Sequence, residues 1–148
     1  MGLLDRSSEE PRSKLRRYVL TGIALALLLA LGFWYLFRFH TEKATVERFF
    51  RTLAAGDTEQ AYRIWKPQAS YSYKDFLDDW GPSGYYGPVK SYRIETAQSP
   101  RDASGVIIVV EVSPYEPFPA AHDEEKNRHT KEVRIWVERR DQSLSFPP

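Results

Sequence analysis

Cysteine is absent from the 148-residue sequence. That excludes disulfides, thiolate zinc sites, thiol nucleophiles and a lipidated cysteine anchor. An excess of either charge is also missing: 21 Lys and Arg face 20 Asp and Glu, a net +1 at pH 7. A nucleic-acid-binding surface carries a clear basic excess, so no nucleic acid is expected as a partner. The length fits one domain of ~100–150 residues and leaves no room for two enzyme-sized ones. The most telling scarcity is local. Residues 18–37, YVLTGIALALLLALGFWYLF, hold no charge at all.

At ~1.5 Å per residue, 20 helical residues span about 30 Å, the thickness of a bilayer's hydrocarbon core. Backbone amides there must pair internally, which a helix achieves alone. Arg16 and Arg17 close one end of the run and Arg38 the other, and all three can snorkel into headgroups. Phe33, Trp34, Tyr35, Phe37 and Phe39 crowd the far end, as an interfacial aromatic belt does. The apolar residues go all the way round, unlike the single stripe of a soluble amphipathic helix. A cleaved signal peptide has a shorter apolar core of ~7–15 residues followed by small residues; here bulky Tyr35, Leu36 and Phe37 close the run.

The expected organisation is a cytoplasmic tail at 1–17, a transmembrane helix at 18–38 and an extracytoplasmic domain at 41–148. The tail holds five basic against three acidic residues, net +2; the part after the run holds 16 against 17, net −1. Positive residues stay inside and a long folded region crosses largely regardless of charge. The expected topology is therefore N-terminus in, domain out, in an inner (plasma) membrane, with the lipid bilayer as the first partner. Gly2 with Arg6 in place of Ser or Thr makes no myristoylation signal. Glu9 and Glu10 argue against a mitochondrial transit peptide.

Beyond the run, Val46, Phe49, Phe50 and Leu53 fall at i, i+3, i+4 and i+7, which predicts an amphipathic helix from about Thr41 or Glu42. Gly56 closes it as a residue free to take positive φ. Asp57 is the expected cap of a second helix, with Gln60 placed to complete a capping box. Ala61, Tyr62, Ile64 and Trp65 form its buried side and Pro67 ends it. A third helix is expected at about 73–80, capped by Ser72, with Phe76, Leu77 and Trp80 inward. Strands follow. Residues 89–97 alternate, with Val89, Ser91, Arg93 and Glu95 on one side and Lys90, Tyr92, Ile94 and Thr96 on the other. Residues 106–112 are β-branched except for Glu111 and read as a central strand buried on both faces. Residues 130–138 alternate again, 139–142 form a turn, and 143–146 a short last strand. Between strands, 114–128 combines three prolines with the run HDEEKNR, a long hairpin loop or a disordered excursion. Helices first and a meander after them predict an α+β fold, about three helices on an antiparallel sheet of about four strands.

The run VERFFRTLAAGDTEQAYRIW, residues 46–65, resembles the opening of the nuclear-transport-factor-2-like superfamily, which includes ketosteroid-isomerase-like proteins. An apolar first helix, "G-D", and a second helix with Ala-Tyr near its middle carry the likeness; in order of elements it extends over about 42–146. The resemblance implies a cone-like domain in which a curved sheet wraps the first helix, with a pocket or a dimer face on the concave side. It implies no activity, because such a fold hosts enzymes, binders and scaffolds alike.

A base and a hydrogen-bond donor in that pocket would make an isomerase or dehydratase site. Asp78 and Asp79 are the best-placed acids, and Tyr62, Trp65, Phe76 and Ile94 the candidate lining. Against this, paired acids are far commoner on a solvent-facing side than buried. His122, Asp123, Glu124, Glu125 and His129 offer metal-ligating types, but the histidines are seven apart rather than at the helical i, i+4 spacing. A solvated charge run is the expected meaning, with no metal and no cofactor. Tyr85, Tyr86, Tyr115 and Phe118 cluster around turns and prolines, where they either plug a small core or present a protein-binding surface. With no catalytic constellation, the favoured reading is a non-catalytic interaction or scaffold domain, tethered by one span, whose partner is a membrane or periplasmic protein or a second copy. The layout is similar to that of the inner-membrane scaffold component of type IV secretion systems and of membrane-anchored transport-associated proteins. A small-molecule or isomerase-like pocket and a respiratory-complex assembly factor are the alternatives.

Overall fold

The structure, a computed structural model, describes residues 10–148. Residues 1–9, among them Gly2, Arg6 and Glu9 of the tail reading, lie outside the described residues. The chain divides after Arg38 into two compact units.

The first unit is carried by helix α1, Glu10–Phe37. The helix starts well before the expected boundary at residue 18, so Arg12, Lys14, Arg16 and Arg17 belong to the same helix as the apolar run. Arg, Lys and Leu are good helix formers and nothing in 12–17 interrupts the turn. Its large apolar side chains are all at least half exposed, from Phe37 at 50% to Tyr18 at 76%. An 18-residue stretch reaches a mean hydropathy of 2.2 with none of it buried. Such a helix is long and apolar enough to cross a membrane.

The second unit is α+β. Helix α2, His40–Ala54, is followed by α3, Thr58–Trp65, and α4, Tyr73–Trp80. Gly56, at φ +85°, supplies the left-handed turn after α2. Asp57 caps α3 by accepting from the Gln60 amide at 3.0 Å. The full reciprocal box occurs one helix later: Ser72 accepts from the Asp75 amide while the Asp75 carboxylate accepts from the Ser72 amide. The Ser72 hydroxyl, donating to the Asp75 carboxylate at 2.7 Å, and then the Ser72 amide hold that carboxyl below its ordinary range.

An open antiparallel sheet in the order β1-β2-β3-β4 completes the unit. Its strands are β1, Ser91–Gln98; β2, Gly105–Ser113; β3, Lys131–Glu138; and β4, Leu144–Ser145. A one-turn helix, α5, Glu124–Asn127, precedes β3. Val106, Ile108, Val110 and Val112 of β2 and Val133, Ile135 and Val137 of β3 are buried and share one face. Val46, Phe49, Phe50 and Leu53 of α2 are buried in the same core cluster, and α2 packs against all three long strands.

Two expectations change and an open alternative is decided. β2 is buried on one face only; Ile107, Val109 and Glu111 on the other are half-buried, because the helices cover a single side of the sheet. In β1 the register shifts between Ile94 and Thr96. Glu95 is the extra residue of this bulge, so Ala97 rather than Thr96 follows Tyr92 and Ile94 to the core side. Of the two readings of 114–128, the hairpin loop is the one found, with α5 inside it. Ser91 donates to the Tyr115 carbonyl at 2.6 Å, Asn127 to the Ala120 carbonyl at 2.8 Å, and Asp123 caps α5 through the Lys126 amide.

Candidate functional site

The expected pocket residues converge, but on a packed interior. Phe49 lies with its ring centroid 5.0 Å from Phe50, 5.1 Å from Trp65 and 5.3 Å from Trp80, and is fully buried. Phe76 reaches Tyr62 at 5.3 Å and Trp65 at 6.3 Å. Ile94 joins the edge of this cluster from β1. Tilted and edge-to-face rings at these separations contribute about 0.5–1.5 kcal/mol per pair beyond burial. Helical spacing puts these rings on the inward sides of α2, α3 and α4, where they meet one another.

The two acids of the pocket reading part company. Asp78 is exposed and ion-paired with Lys74 one turn earlier at 2.8 Å. Asp79 is half-buried and accepts from the Tyr71 hydroxyl at 2.6 Å. Burial, then the hydrogen bond and charge of Asp79, push the Tyr71 phenol well above its ordinary range. Tyr71 is thus held as a donor to Asp79. It closes the α3–α4 connection together with Tyr62, whose hydroxyl donates to the Tyr71 carbonyl at 2.9 Å.

Beside that connection lies an open cleft of about 310 Å³ lined by Trp65, Lys66, Gln68, Ser70, Tyr71 and residues 143–146. Lys66 takes a left-handed conformation, φ 51°, as the C-cap of α3 and donates to the Asp141 carbonyl. Of the expected pocket residues, only Trp65 lines this cleft.

Of the aromatic loop residues, Tyr85 and Tyr86 form a pair, while Tyr115 and Phe118 are held separately. Tyr85 is 65% exposed and sits edge-on to Tyr86 at 4.8 Å, with the Lys131 ammonium 4.3 Å over its ring. Tyr86 is half-buried and stacks on Trp80 at 4.9 Å. Tyr115 faces His129 at 6.0 Å and Lys126 at 5.8 Å. Phe118 lies under the Arg93 guanidinium at 4.7 Å. Of the four, Tyr85 alone is presented to solvent; the other three brace turns.

In the acidic run, Asp123 accepts the α5 capping hydrogen bond and pairs with Lys126 at 3.1 Å, which lowers its carboxyl pKa. Among the described residues no group of three His, Cys, Asp or Glu side chains is arranged to hold a metal ion.

The joint at the start of α2 was not anticipated. Glu42 and Thr45 are buried there, at 7% exposure each. The Arg139 guanidinium meets Glu42 through Nε at 3.7 Å, donates to the Ser99 hydroxyl through Nη2 at 2.8 Å, and to the Ala103 carbonyl through Nη1 at 3.4 Å. Thr45 donates to Gln142 Oε1 at 2.9 Å. One side chain thereby ties the β1–β2 turn and the β3–β4 turn to α2. The sequence does hold a signal for it: Glu42, Thr45, Val46, Phe49 and Leu53 share one helical stripe, and a carboxylate on a buried stripe needs a cation to meet it.

No family model, curated protein or solved structure matches the chain.

Proposed function

We propose that this chain is a single-pass membrane protein whose α1 helix anchors a non-catalytic interaction domain on the extracytoplasmic side of an inner membrane. The observation that carries the reading is a contrast between the units. The large apolar side chains of α1 are all at least half exposed among the described residues, while Phe49, Trp65, Phe76 and Trp80 of the α+β unit are buried against one another. An exposed 20-residue apolar helix is stable only in a hydrocarbon environment. The five basic residues of the first 17 favour their retention on the cytoplasmic side. Exposed Tyr85, backed by Tyr86 and Lys131, is a rigid aromatic anchor of the kind that dominates protein interfaces. The nuclear-transport-factor-2-like relationship belongs to the same proposal; its support is three helices preceding an antiparallel four-stranded sheet with α2 against it.

Crosslinking in intact membranes with mass spectrometric identification tests the function, and a reporter fused to the C-terminus tests the topology. The expected result is alkali-resistant membrane association, an extracytoplasmic reporter, and a stoichiometric partner or homodimer whose crosslinks fall near Tyr85 and are lost in Tyr85→Ala. Extraction by alkali, or a lone monomer, overturns the reading.

A further inference from the structure

The sheet ends on β4, and the cleft of about 310 Å³ beside the α3–α4 connection runs along that end. Ser143, Leu144, Ser145 and Phe146 all line it. Successive side chains of a strand point to opposite faces, so four consecutive residues share one cleft only along their common backbone edge. The Ser143 carbonyl accepts from the Glu138 amide at 3.0 Å, and Ser145 stands opposite Trp136. Hydrogen-bonded pairs alternate along an antiparallel ladder, and the C=O and N–H of one peptide plane point in opposite directions. The Leu144 N–H and C=O and the Phe146 N–H therefore turn away from β3, and none of the three has a partner among the described residues. Leu144 is only 2% exposed. An unpaired backbone group so far removed from water costs about as much as a lost hydrogen bond.

Side chains complete the cleft. The Trp65 ring lies 5.3 Å from Phe146 and 6.0 Å from Tyr71, centroid to centroid, so aromatic surface adjoins the open edge. Lys66 is the one charged residue of the lining. Its ammonium donates to the Asp141 carbonyl, and the Asp141 carboxylate beside it offsets its charge. The cleft is thus close to neutral. We propose that it takes an extended peptide segment of a partner protein, which adds to β4 as a fifth strand. An apolar side chain of that segment then rests against Trp65, Tyr71 and Phe146. The inference needs neither the membrane nor Tyr85, which does not line the cleft.

The pattern of open groups selects this occupant. Donor, acceptor and donor follow one another along the edge, with the two donors a two-residue repeat apart, about 6.6–6.8 Å. A second extended backbone carries donors and acceptors at the same repeat and meets all three. A helix has its own amides and carbonyls already paired and cannot do so. An anion finds no uncompensated cation in the lining. Pro147 and Pro148 have no N–H to offer, so the open edge stops at Phe146 and the contact is short.

The full-length chain in mild detergent is panned against a phage library of random heptapeptides, and the strongest binder is synthesised with capped ends. The enriched peptides are expected to alternate apolar and polar residues. Binding should slow hydrogen exchange of the Leu144 and Phe146 amides at least tenfold. N-methylation of the peptide at one set of alternate positions should weaken binding roughly fivefold per methyl, the ratio for a hydrogen bond of about 1 kcal/mol. The other set should change it little. Ser70→Trp fills the cleft from an exposed position and should abolish binding with unchanged near-ultraviolet circular dichroism, while Lys74→Gln on α4 should leave it intact. A library that enriches nothing overturns the proposal, as does N-methylation with the same effect at every position. So does a binder that leaves the Leu144 and Phe146 amides exchanging freely. A dimer of the full chain that Ser70→Trp dissociates would put a second copy on the edge, and overturns it too. None of these results touches crosslinking near Tyr85, so the two readings fail separately.

Discussion

The two units use the same aromatic side chains for opposite ends. In α1, Phe33, Trp34 and Tyr35 are 63–65% exposed, whereas in the α+β unit Phe49, Phe50, Phe76 and Trp80 are at most 1% exposed. Composition does not distinguish them; arrangement does. Consecutive aromatics on a helix point in different directions, so Phe33, Trp34 and Tyr35 share no face on which to bury one another, and Phe33 meets only Phe37 one turn on, at 4.4 Å. At i, i+3, i+4 and i+7 they share a face, and a protein core forms on it. Whether a segment buries its aromatics or exposes them follows from periodicity rather than from how hydrophobic it is.

The strongest way to break that comparison is to put charge into α1. Leu25→Arg with Leu28→Arg should cost about 5–7 kcal/mol of insertion, from 2.5–3.5 per residue at a span's centre. The chain should then leave the membrane fraction on carbonate extraction. The unfolding of the α+β unit, followed by near-ultraviolet circular dichroism, should be unchanged. Phe49→Ala is the mirror experiment. It removes a fully buried ring that four other aromatics touch, at about 3–5 kcal/mol. Thermal unfolding should fall steeply while membrane association is retained.

A smaller effect sharpens the picture inside the sheet. A Cβ on Gly105 would stand 2.5 Å from both Trp136 Cε2 and the Val137 carbonyl oxygen. The indole lies across β2 in the space that glycine leaves, and the backbone oxygen cannot yield as a side chain could. Gly105→Ala should therefore cost about 1–3 kcal/mol by overpacking, measured by denaturant unfolding. The smallest effect is in acid. Hydrogen bonds from Ser72 and Ser143 lower the Asp75 and Asp141 carboxyls from 3.8. Each stabilises the folded state above that value and loses its contribution as pH falls through the lowered one. The melting temperature should stay level from neutrality to about pH 5 and decline below 3.8. Asp75→Asn should flatten part of that decline.

What could be read in advance was local. Asp57 and Ser72 cap the helices the pattern places after them, Gly56 takes the positive φ expected of it, and the order of helices and strands stands. Each depends on residues within a few positions of one another. The bulge at Glu95 was hidden, because a one-residue slip leaves composition unchanged while turning every later side chain over. Which of the two readings of 114–128 holds could not be read locally either: Ser91 and Arg93, which hold Tyr115 and Phe118, lie in another strand. The Arg139 joint joins positions 97 residues apart. Sequence could mark Glu42 as a carboxylate in need of a partner, but 16 basic residues beyond α1 offered no means of choosing among them.

The Glu42–Arg139 contact also sets how the domain would carry mechanical load. With α1 held and a partner pulling on the sheet, tension enters through the first turn of α2. There it meets the Glu42–Arg139 pair and the Thr45–Gln142 hydrogen bond before it reaches the aromatic interior. The guanidinium is one of several ties on those turns, beside the Arg139 amide on the Ser104 carbonyl and Lys66 on the Asp141 carbonyl. The joint would therefore share such a load with the sheet ladder and with α3, so that two strands and a second helix would take up the pull together.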